Sequence, residues 1–405
     1  MRIHVSASDR YPLRYVDVVE LFLRELNDRG VEQTWYVQGT GATSGLRTEY
    51  VRGVRIIVSP VLRAGGLVGK LLGKLAYWSI DTALLLRLLW RRVDLIIVRD
   101  KYWASLVGLI VGRLTGTPFV VWMSYPFPED DLERSRSAKG PMRWLLAVSG
   151  RFGRLVYYGI GMRFADHCFV QSERMKQEMQ DKGIPADRMT AVPMAVSEEL
   201  LAQGERPSQP ESPPVVLYLG GLHRVRRLEI MIDCFAEVAA RYDDVRFKVV
   251  GEGGEPADRQ HLEALVAERG IADRVQFTGQ LPRDEAQRHV ATAAVCLSPI
   301  PVTPTLRVAS PTKLIEYLAF SKPAVANDHP EQSMIARESN GAICVDWSAS
   351  AFADAVIWCL ENPAEAIAMG ARGREWVKDN RTYSKIAADV HRELVRIVAA
   401  RGAVE

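Results

Sequence analysis

Two adjacent glycines followed by arginines, in the second half of the chain, are the residues best suited to bind a phosphate. Gly220 and Gly221 follow a buried-strand run, Val215 to Leu219, and are followed in turn by Arg224 and Arg226. Glycines at a strand-to-helix turn let backbone N–H groups approach an anion, and the helix N-terminus adds a partial positive charge. Because cations at a helix start oppose the helix dipole, a bound anion is the simplest explanation of these arginines.

A second helix start points to the same ligand. Residues Ser310 to Lys313 open a helix that carries Glu316 one turn in, and Gly251 and Gly253 follow another strand-like run. Glycines often do no more than end a strand, and Glu316 could simply be exposed on an amphipathic helix. Glu316 lies in an otherwise apolar stretch, however, which favours a polar partner for its carboxylate.

Composition is typical of a soluble globular protein with two domains. The chain has 405 residues, of which 48% are hydrophobic and 25% charged, and its net charge is +3. The first 200 residues contain 28 lysines and arginines against 21 acids, so the first half is basic and the second half acidic. The five cysteines show no paired spacing, which favours a reducing cytosol.

The sequence gives no sign of a signal peptide or a membrane-spanning helix. Its first residues, Met1 to Val5, are typical of a strand. The most apolar long segment, Leu67 to Trp90, is interrupted by Lys70, Lys74, Asp81 and Arg87, whereas a span needs about 20 apolar residues. This segment could lie in a membrane interface but not cross a bilayer.

Strand-like and helix-like segments alternate along the whole chain, which predicts an α/β fold with parallel sheets covered on both faces. A proline-rich stretch divides the pattern and is typical of a linker. We therefore expect two Rossmann-like, doubly wound domains that face each other across a cleft. The predicted strands are Ile3–Ala7, Thr34–Gln38, Val54–Val58, Asp94–Val98, Phe119–Met123, Val215–Leu219, Arg246–Val250, Val275–Thr278, Ala294–Leu297 and Ala324–Ala326. The predicted division is an acceptor- and membrane-facing domain at 1–200, a linker at 201–214, a donor domain at 215–380 and a last helix at 381–405 that crosses back to the first domain.

The order of these motifs resembles a known enzyme family. The Gly220 turn with Arg226, the Gly251 turn, Val275 to Gly279, Ser310 to Glu316 and Lys322 to Ala326 follow one another over about 110 residues. Together they resemble the donor domain of retaining glycosyltransferases of the GT-B fold, family 4 type. The first half resembles that family only loosely, through its strand order and the loops at Arg99 and Trp122.

The resemblance implies a nucleotide-diphosphate sugar, with UDP or GDP, as the donor substrate. It implies that the Gly220 turn lines the diphosphate, that Arg226 neutralises it, and that Glu316 accepts hydrogen bonds from the ribose. Fixed cations and helix N-termini can stabilise the charge of a departing diphosphate. We therefore expect neither a metal nor a cofactor. The implied donor-binding residues are Gly220, Gly221, Arg224, Arg226, Gly251, Gly253, Thr278, Gly279, Ser310, Thr312, Lys313 and Glu316.

Two departures from the family pattern bear on the mechanism. The family commonly carries a second glutamate eight positions before Glu316, where this chain has Val308, and an arginine after the first turn glycine, where it has Gly221. Arg224 or Arg227 could supply the missing positive charge. The sugar stays open.

Acidic residues after two strands of the first half are candidates for the acceptor side. Asp100, Glu129 and Asp130 follow the fourth and fifth predicted strands, at the sheet edge where such folds gather ligand groups. A retaining transfer needs no protein base if the donor phosphate takes the acceptor proton. These three residues could therefore orient the acceptor hydroxyl as catalytic groups, or merely form a solvated turn that caps a helix.

Basic residues interleaved with aromatic ones in the first half favour contact with an anionic membrane surface, with about 1 kcal/mol gained per basic residue. The alternative is that these helices cover the sheet and expose a basic outer face. Membrane contact would imply a lipid-linked glycan or glycolipid acceptor and a peripheral location on the cytoplasmic face of the cell membrane. The residues concerned are Lys70, Lys74, Arg87, Arg91, Arg143 and Arg151.

Other function classes fit less well. No nucleic-acid module is present, and no Gly-x-Gly-x-x-Gly follows the first strand, as a dinucleotide would require. Two alternatives stay open. One is a sugar-nucleotide 2-epimerase of the same fold, and the other is a non-catalytic scaffold in polysaccharide assembly.

Overall fold

A computed structural model describes residues 1–40, 45–61, 66–205 and 210–402. The chain divides into two compact units. The first comprises residues 1–193 together with the C-terminal residues from Tyr383, and the second comprises residues 194–382. Because the last helix belongs to the first unit, the chain passes between the units twice.

The first unit is built on an eight-stranded sheet in the order β3-β4-β2-β1-β5-β6-β7-β8, parallel except for the β3–β4 pair. Its central strands are wholly buried runs of branched and aromatic residues, as expected for a sheet covered on both faces. The strands are β1 Arg2–Arg10, β2 Glu32–Gln38, β3 Arg47–Val51, β4 Val54–Val58, β5 Leu95–Arg99, β6 Phe119–Met123, β7 His167–Val170 and β8 Met189–Ala191.

The second unit is built on a six-stranded parallel sheet in the order β11-β10-β9-β12-β13-β14. The order reverses at β9, so the carboxyl ends of β9 and its neighbours form a topological switch point, where such sheets bind ligands. The strands are β9 Val215–Leu219, β10 Arg246–Val250, β11 Val275–Gly279, β12 Val295–Ser298, β13 Ala324–Asn327 and β14 Ile343–Val345.

Helices connect the strands in both units. Those of the first unit are Val18–Leu26, which has wide π-type turns, Gly66–Arg87, Tyr102–Thr115, Phe127–Ser137, Pro141–Gly153, the π-type Arg154–Met162, Glu173–Asp181 and Tyr383–Gly402. Those of the second unit are Glu198–Gly204, Glu229–Arg241, Pro256–Glu268, Arg283–Thr292, Thr312–Ala319, Pro330–Ser339, Ala349–Glu361 and Pro363–Asn380.

The α/β fold with two parallel sheets is confirmed, and all ten predicted strands are present with ends shifted by a few residues. Four further strands, β3, β7, β8 and β14, were not predicted. β3 alternates half-buried and exposed residues at the sheet edge, and the other three have only three or four residues. Such short segments carry too little pattern to be recognised.

The prediction of a linker at 201–214 is wrong, because these residues pack on the second unit. Arg374 donates to the Leu201 carbonyl over 2.8 Å, which fixes the helix Glu198–Gly204. Further on, Glu211 accepts hydrogen bonds from Lys248 over 2.9 Å. Residues 206–209 lie outside the described part of the chain, and the boundary between the units falls between Pro193 and Met194.

A buried ion pair fixes the helix Gly66–Arg87 to the first sheet. The Lys101 ammonium lies 2.9 Å from Asp81 and 3.0 Å from the Ser6 hydroxyl, and Ser6 in turn donates to Asp81 over 2.7 Å. Lys101 also lies 4.7 Å and 4.5 Å from the ring centres of Tyr36 and Tyr77. Burial lowers the pKa of Lys101, and Asp81 opposes that shift. The ammonium therefore depends on this carboxylate for its charge.

Asp81→Ala should destabilise the first unit by about 3 kcal/mol, because it leaves the Lys101 ammonium buried without its carboxylate. Differential scanning calorimetry measures the change. Asp243→Ala is the control, because Asp243 is fully exposed and its distance of 4.0 Å from Arg274 makes a weak ion pair. This change should alter stability by less than about 0.5 kcal/mol. Equal midpoints for wild type and Asp81→Ala would show that the pair does not hold the helix.

Candidate functional site

The carboxyl ends of β9, β10 and β11 meet through their glycines. Gly220 N–H donates to the Val250 carbonyl over 2.8 Å, and Gly251 N–H donates to the Gly279 carbonyl over 3.0 Å. Gly221 is different, because its N–H has no acceptor among the described residues. The turn therefore presents one open amide donor at the switch point, which is the kind of group that binds an anion.

The glycine at 251 is required by the closeness of the two strand ends. A Cβ atom at Gly251 would lie 2.1 Å from the Gly220 carbonyl oxygen, and the φ angle of Gly251 is +134°. Backbone cannot move aside as a side chain can, so no other residue fits this position. The β9 and β10 turns are thus held in contact through glycine backbone.

Lys313 extends from the start of the helix Thr312–Ala319 to this turn. A Cβ atom at Gly220 would lie 2.1 Å from Lys313 Cε and 2.9 Å from its Nζ, so the side chain covers the bare face of the glycine. Its ammonium also lies 5.4 Å from the centre of the Tyr218 ring. The Tyr218 hydroxyl donates to the Gly221 carbonyl over 3.1 Å, which ties the ring to the turn.

Arginines surround the same turn. Arg224 and Arg226 lie in a short 3₁₀ turn, and Arg227 follows it with a left-handed φ of +47°. Arg226 is half-buried, whereas Arg224 and Arg227 are exposed. In the part of the chain that the structure describes, none of the three side chains has a hydrogen bond or an ion pair.

Burial changes the protonation of the two charged residues on the helix Thr312–Ala319. Burial, aided by Arg226, lowers the pKa of Lys313 to about 7, while Glu316 acts in the opposite direction. Burial likewise raises the pKa of Glu316 to about 7, against the effects of Arg283 and Lys313. Neither side chain has a salt-bridge partner within 4.0 Å among the described residues. Both groups are therefore able to change charge when an ionic ligand arrives.

The β11 end adds residues that the sequence did not single out. Arg259 lies 5.7 Å from the Phe277 ring centre and 3.5 Å from the Glu252 carboxylate, next to the predicted residue Gly279. Thr278 donates its hydroxyl to the Gly279 carbonyl over 3.0 Å. Arg259 lies on the helix Pro256–Glu268, which follows the Gly251 turn, and its closeness to Gly279 arises only when the strand end β11 folds beside that helix.

Three predicted donor residues have other partners or surroundings. Ser310 is buried, accepts a hydrogen bond from the Met194 N–H over 2.9 Å and donates to Glu331 over 2.7 Å, so its hydroxyl holds the helix start in place. Thr312 is the first residue of the helix and is half-buried. A Cβ atom at Gly253 would lie 2.4 Å from Asp258 Cβ, so this glycine lets the next helix pack.

In the first unit, Asp100 lies directly after β5 in a buried polar network. Its φ is +57°, and it accepts hydrogen bonds from both the N–H and the hydroxyl of Ser124, the former over 2.9 Å. Burial raises its pKa to about 6, and Arg99, 3.9 Å away, opposes the shift. Arg99 also contacts Asp9 over 3.1 Å and Asp17 over 2.7 Å, so three carboxylates share one guanidinium.

Glu129 and Asp130 lie in the first turn of the helix Phe127–Ser137. Glu129 is buried, accepts a hydrogen bond from Tyr158 and lies 3.3 Å from Arg154, an arrangement typical of a structural ion pair. Asp130 is half-buried and accepts from the Tyr125 hydroxyl over 3.1 Å, and burial raises its pKa. Of the two, Asp130 is the more accessible.

Tyr102, which the sequence analysis did not single out, is affected by the charges of these acids. Burial raises its pKa, and the negative charges of Asp131, Asp100, Glu129 and Asp130 raise it further. A phenol in such surroundings keeps its proton and can donate a hydrogen bond.

Among the described residues, no group of three or more His, Cys, Asp or Glu side chains is arranged to hold a metal ion. The absence of a metal requirement stays a prediction.

Two family models match the chain and together cover most of it. Residues 213–362 match the model described as glycosyl transferases group 1, and residues 16–195 match the glycosyl transferase 4-like domain. The chain belongs to the group 1 glycosyltransferases. The curated relatives are likewise named as glycosyltransferases, so the protein is an enzyme of this class. The scaffold and epimerase alternatives gain no support.

Three curated relatives show the range of this class. The chain is 26% identical over 339 residues to a 2-deoxystreptamine glucosyltransferase from Streptomyces kanamyceticus, which covers 80% of this chain and 84% of the relative. A 2-deoxystreptamine N-acetyl-D-glucosaminyltransferase from Streptomyces fradiae is 30% identical over 68% of this chain and 66% of its own. A GDP-mannose-dependent phosphatidylinositol monomannoside mannosyltransferase from Mycobacterium tuberculosis is 28% identical, but the match spans only 52% of its length.

Solved structures confirm the fold. An α,α-trehalose-phosphate synthase from Burkholderia vietnamiensis superposes with a TM-score of 0.70, covering 98% of this chain and 99% of the other at 15% identity. Anabaena HepE in complex with UDP-glucose gives a TM-score of 0.67 over 98% of this chain and 100% of the other, also at 15% identity. The protein therefore has the GT-B fold.

Gly251→Ala should destabilise the second unit by about 2–3 kcal/mol, because the added methyl group overlaps the Gly220 carbonyl. Gly270→Ala is the matched control. Gly270 also has a positive φ, of +69°, but a Cβ atom there meets nothing within 4 Å, so the change should cost about 1 kcal/mol. Calorimetry compares the two variants, and equal losses of stability would mean that the contact between the turns is not tight.

Proposed function

We propose that this enzyme is a metal-independent, retaining glycosyltransferase that moves a sugar from a UDP-sugar or GDP-sugar donor to a lipid-linked glycan or glycolipid, with release of UDP or GDP. The single observation that carries the donor side is the unpaired positive charge at the glycine turn. Arg226 and Lys313 have no carboxylate in ion-pair contact among the described residues, and the Gly221 N–H is open beside them.

A nucleoside diphosphate fits this charge. Its two phosphates would accept hydrogen bonds from the Gly221 amide, Arg226 and Lys313. Glu316, one turn into the helix that carries Lys313, would accept hydrogen bonds from the ribose hydroxyls. The negative charge on the diphosphate grows as the sugar departs, so cations fixed before the reaction stabilise the transition state more than the ground state. We propose that these cations do the work that a divalent metal does in other transferases.

The relatives support this class of donor. The mannosyltransferase from M. tuberculosis is named as GDP-mannose-dependent, and HepE was solved with UDP-glucose. We propose that the donor is one of these two kinds of nucleotide sugar.

For the acceptor side, we propose that the first unit binds an anionic membrane surface. This unit exposes large apolar side chains on its helices and on the turn that follows the helix Gly66–Arg87, with Trp144 at 72% and Trp90 at 80% exposure. An interfacial element combines such side chains with basic residues that reach the lipid headgroups. The exposed apolar residues are Leu72, Leu75, Trp78, Leu86, Trp90, Trp103, Ile110, Leu114, Met142, Trp144, Leu145, Val148, Phe152 and Leu155.

The basic residues predicted for this surface support the proposal by their exposure. Lys74, Arg87, Arg91, Arg143 and Arg151 are exposed, and none has an ion-pair partner within the described ranges. The Lys70 side chain lies outside the described residues.

The helices that carry these residues are packed together. The helix Gly66–Arg87 packs on Tyr102–Thr115, where Trp103 donates to Thr82 over 3.1 Å. Arg154–Met162 packs on Tyr102–Thr115 and also contacts the helix Pro141–Gly153. No helix in the described part of the chain is long and apolar enough to span a bilayer. We propose contact with the cytoplasmic face of the cell membrane through this group of helices.

A second acceptor class is favoured by a different observation. The two relatives with the longest matches are named for transfer to 2-deoxystreptamine, which carries amines. In this chain Asp9, Asp17 and Asp100 outnumber their one guanidinium, and burial raises the pKa of Asp9. A cationic amino-cyclitol would compensate this excess of acid.

UDP or GDP should raise the thermal midpoint of wild type, and Arg226→Ala and Glu316→Ala should each remove most of that shift, because each loses a ligand contact worth about 1–3 kcal/mol. Arg241→Ala is the control, since Arg241 pairs with Glu361 on the surface, outside the site. A thermal-shift assay with both nucleotides makes the measurement. Equal shifts in all four proteins would contradict the proposed donor site.

Trp144→Glu combined with Leu145→Glu should abolish flotation with vesicles containing anionic phosphatidylglycerol, because it places two charges in the apolar surface. Ile367→Glu, at an exposed apolar position of the second unit, should leave flotation unchanged. Transfer assays with a lipid-linked glycan and with 2-deoxystreptamine then separate the two acceptor classes. Failure of wild type to float, with transfer to the amino-cyclitol alone, would contradict the lipid proposal.

A further inference from the structure

The proposed donor site holds a cation whose surroundings differ from those of the arginines beside it. Lys313 is half-buried, and its ammonium lies between the bare face of Gly220 and the Tyr218 ring. Arg224 and Arg227, the residues expected from the sequence to supply a second positive charge, are exposed instead. Of these three side chains, only Lys313 is held against the glycine turn.

We propose that Lys313 is the second cation of the donor diphosphate site, acting with Arg226, and that binding of the diphosphate is coupled to proton uptake by Lys313. This inference rests on the proposed function, because it assumes that a nucleoside diphosphate binds at the Gly220 turn. It adds what happens to the charge of Lys313 when the diphosphate binds.

The geometry explains why the charge depends on the ligand. No carboxylate lies within ion-pair distance of the Lys313 ammonium in the described part of the chain, and Arg226 on the neighbouring turn repels a positive charge there. Glu316 on the same helix favours that charge, and Arg283 together with Lys313 lowers the pKa of Glu316 against the effect of burial. Tyr218 presents the face of its ring to the Lys313 ammonium.

The protonation step transfers one proton from solvent to the Lys313 amine. Without an anion beside it Lys313 has a pKa of about 7, so well above pH 7 the side chain is mainly the neutral amine. An anion beside the amine raises its pKa, and the amine then takes one proton from solvent to become an ammonium. At pH 6 the side chain already carries that proton, so binding takes up little.

The sign of the pH dependence follows from this step. Because the bound state holds one more proton than the free state above pH 7, the affinity for the diphosphate should fall as the pH rises, by up to about tenfold per unit. Lys313→Arg keeps its charge at every accessible pH and should flatten this profile.

Isothermal titration of UDP and GDP at pH 8, in two buffers of different ionisation enthalpy, tests the proposal. Wild type should take up close to one proton, and Lys313→Arg should bind within about tenfold of wild type with that proton missing. Lys313→Met, checked for folding by its thermal midpoint, should bind about 10- to 100-fold more weakly. Glu316→Gln should keep the uptake, which separates Lys313 from the other titrating residue.

Each adverse result has a distinct meaning. Equal proton uptake by wild type and Lys313→Arg, or binding by folded Lys313→Met within twofold of wild type, overturns the role of Lys313 while the donor site stands. Failure of wild type to bind either nucleotide overturns the proposed function itself, and the present inference with it.

Discussion

The backbone contact between the ends of β9 and β10 is the constraint on which the rest of the site depends. The Gly220 carbonyl fills the space where any side chain at Gly251 would begin, so the two turns can meet only as glycines. That contact leaves the Gly221 N–H without an acceptor in the described chain and leaves the face of Gly220 open to Lys313. The shape of the site therefore depends on the absence of side chains at Gly220 and Gly251 as much as on the side chains that are present.

Positive charge accumulates at this turn because neither Arg226 nor Lys313 has a carboxylate within ion-pair distance in the described part of the chain. Arg226 and Lys313 repel each other across the turn, and burial opposes the charge on Lys313. Such an arrangement weakens the folded protein slightly and favours any ligand that brings two negative charges. The first unit solves a similar problem differently, since its buried Lys101 has a carboxylate of its own in Asp81. Lys101 thus has a structural partner, whereas Lys313 has no carboxylate within ion-pair distance among the described residues.

Much of the fold could be predicted from the sequence, because buried parallel strands form apolar runs and glycine turns follow them. Short or edge strands such as β3 and β14 escaped, since their few residues are only partly buried. The glycines, Arg226 and Glu316 were predicted as site residues from their local order, and their role stays a prediction. The partner of Ser310, the closeness of Arg259 to Gly279 and the acids that affect Tyr102 were not predicted, because separate elements of the fold bring these residues together. The linker prediction was wrong for the same reason, as Arg374 and Lys248 hold that segment on the second unit.

A crystal structure of the protein with UDP or GDP bound is the most direct measurement. The diphosphate oxygens should lie about 3 Å from the Gly221 amide nitrogen, the Arg226 guanidinium and the Lys313 ammonium. A diphosphate bound elsewhere in the second unit, with these three groups left to solvent, would contradict the assignment of this turn as the donor site.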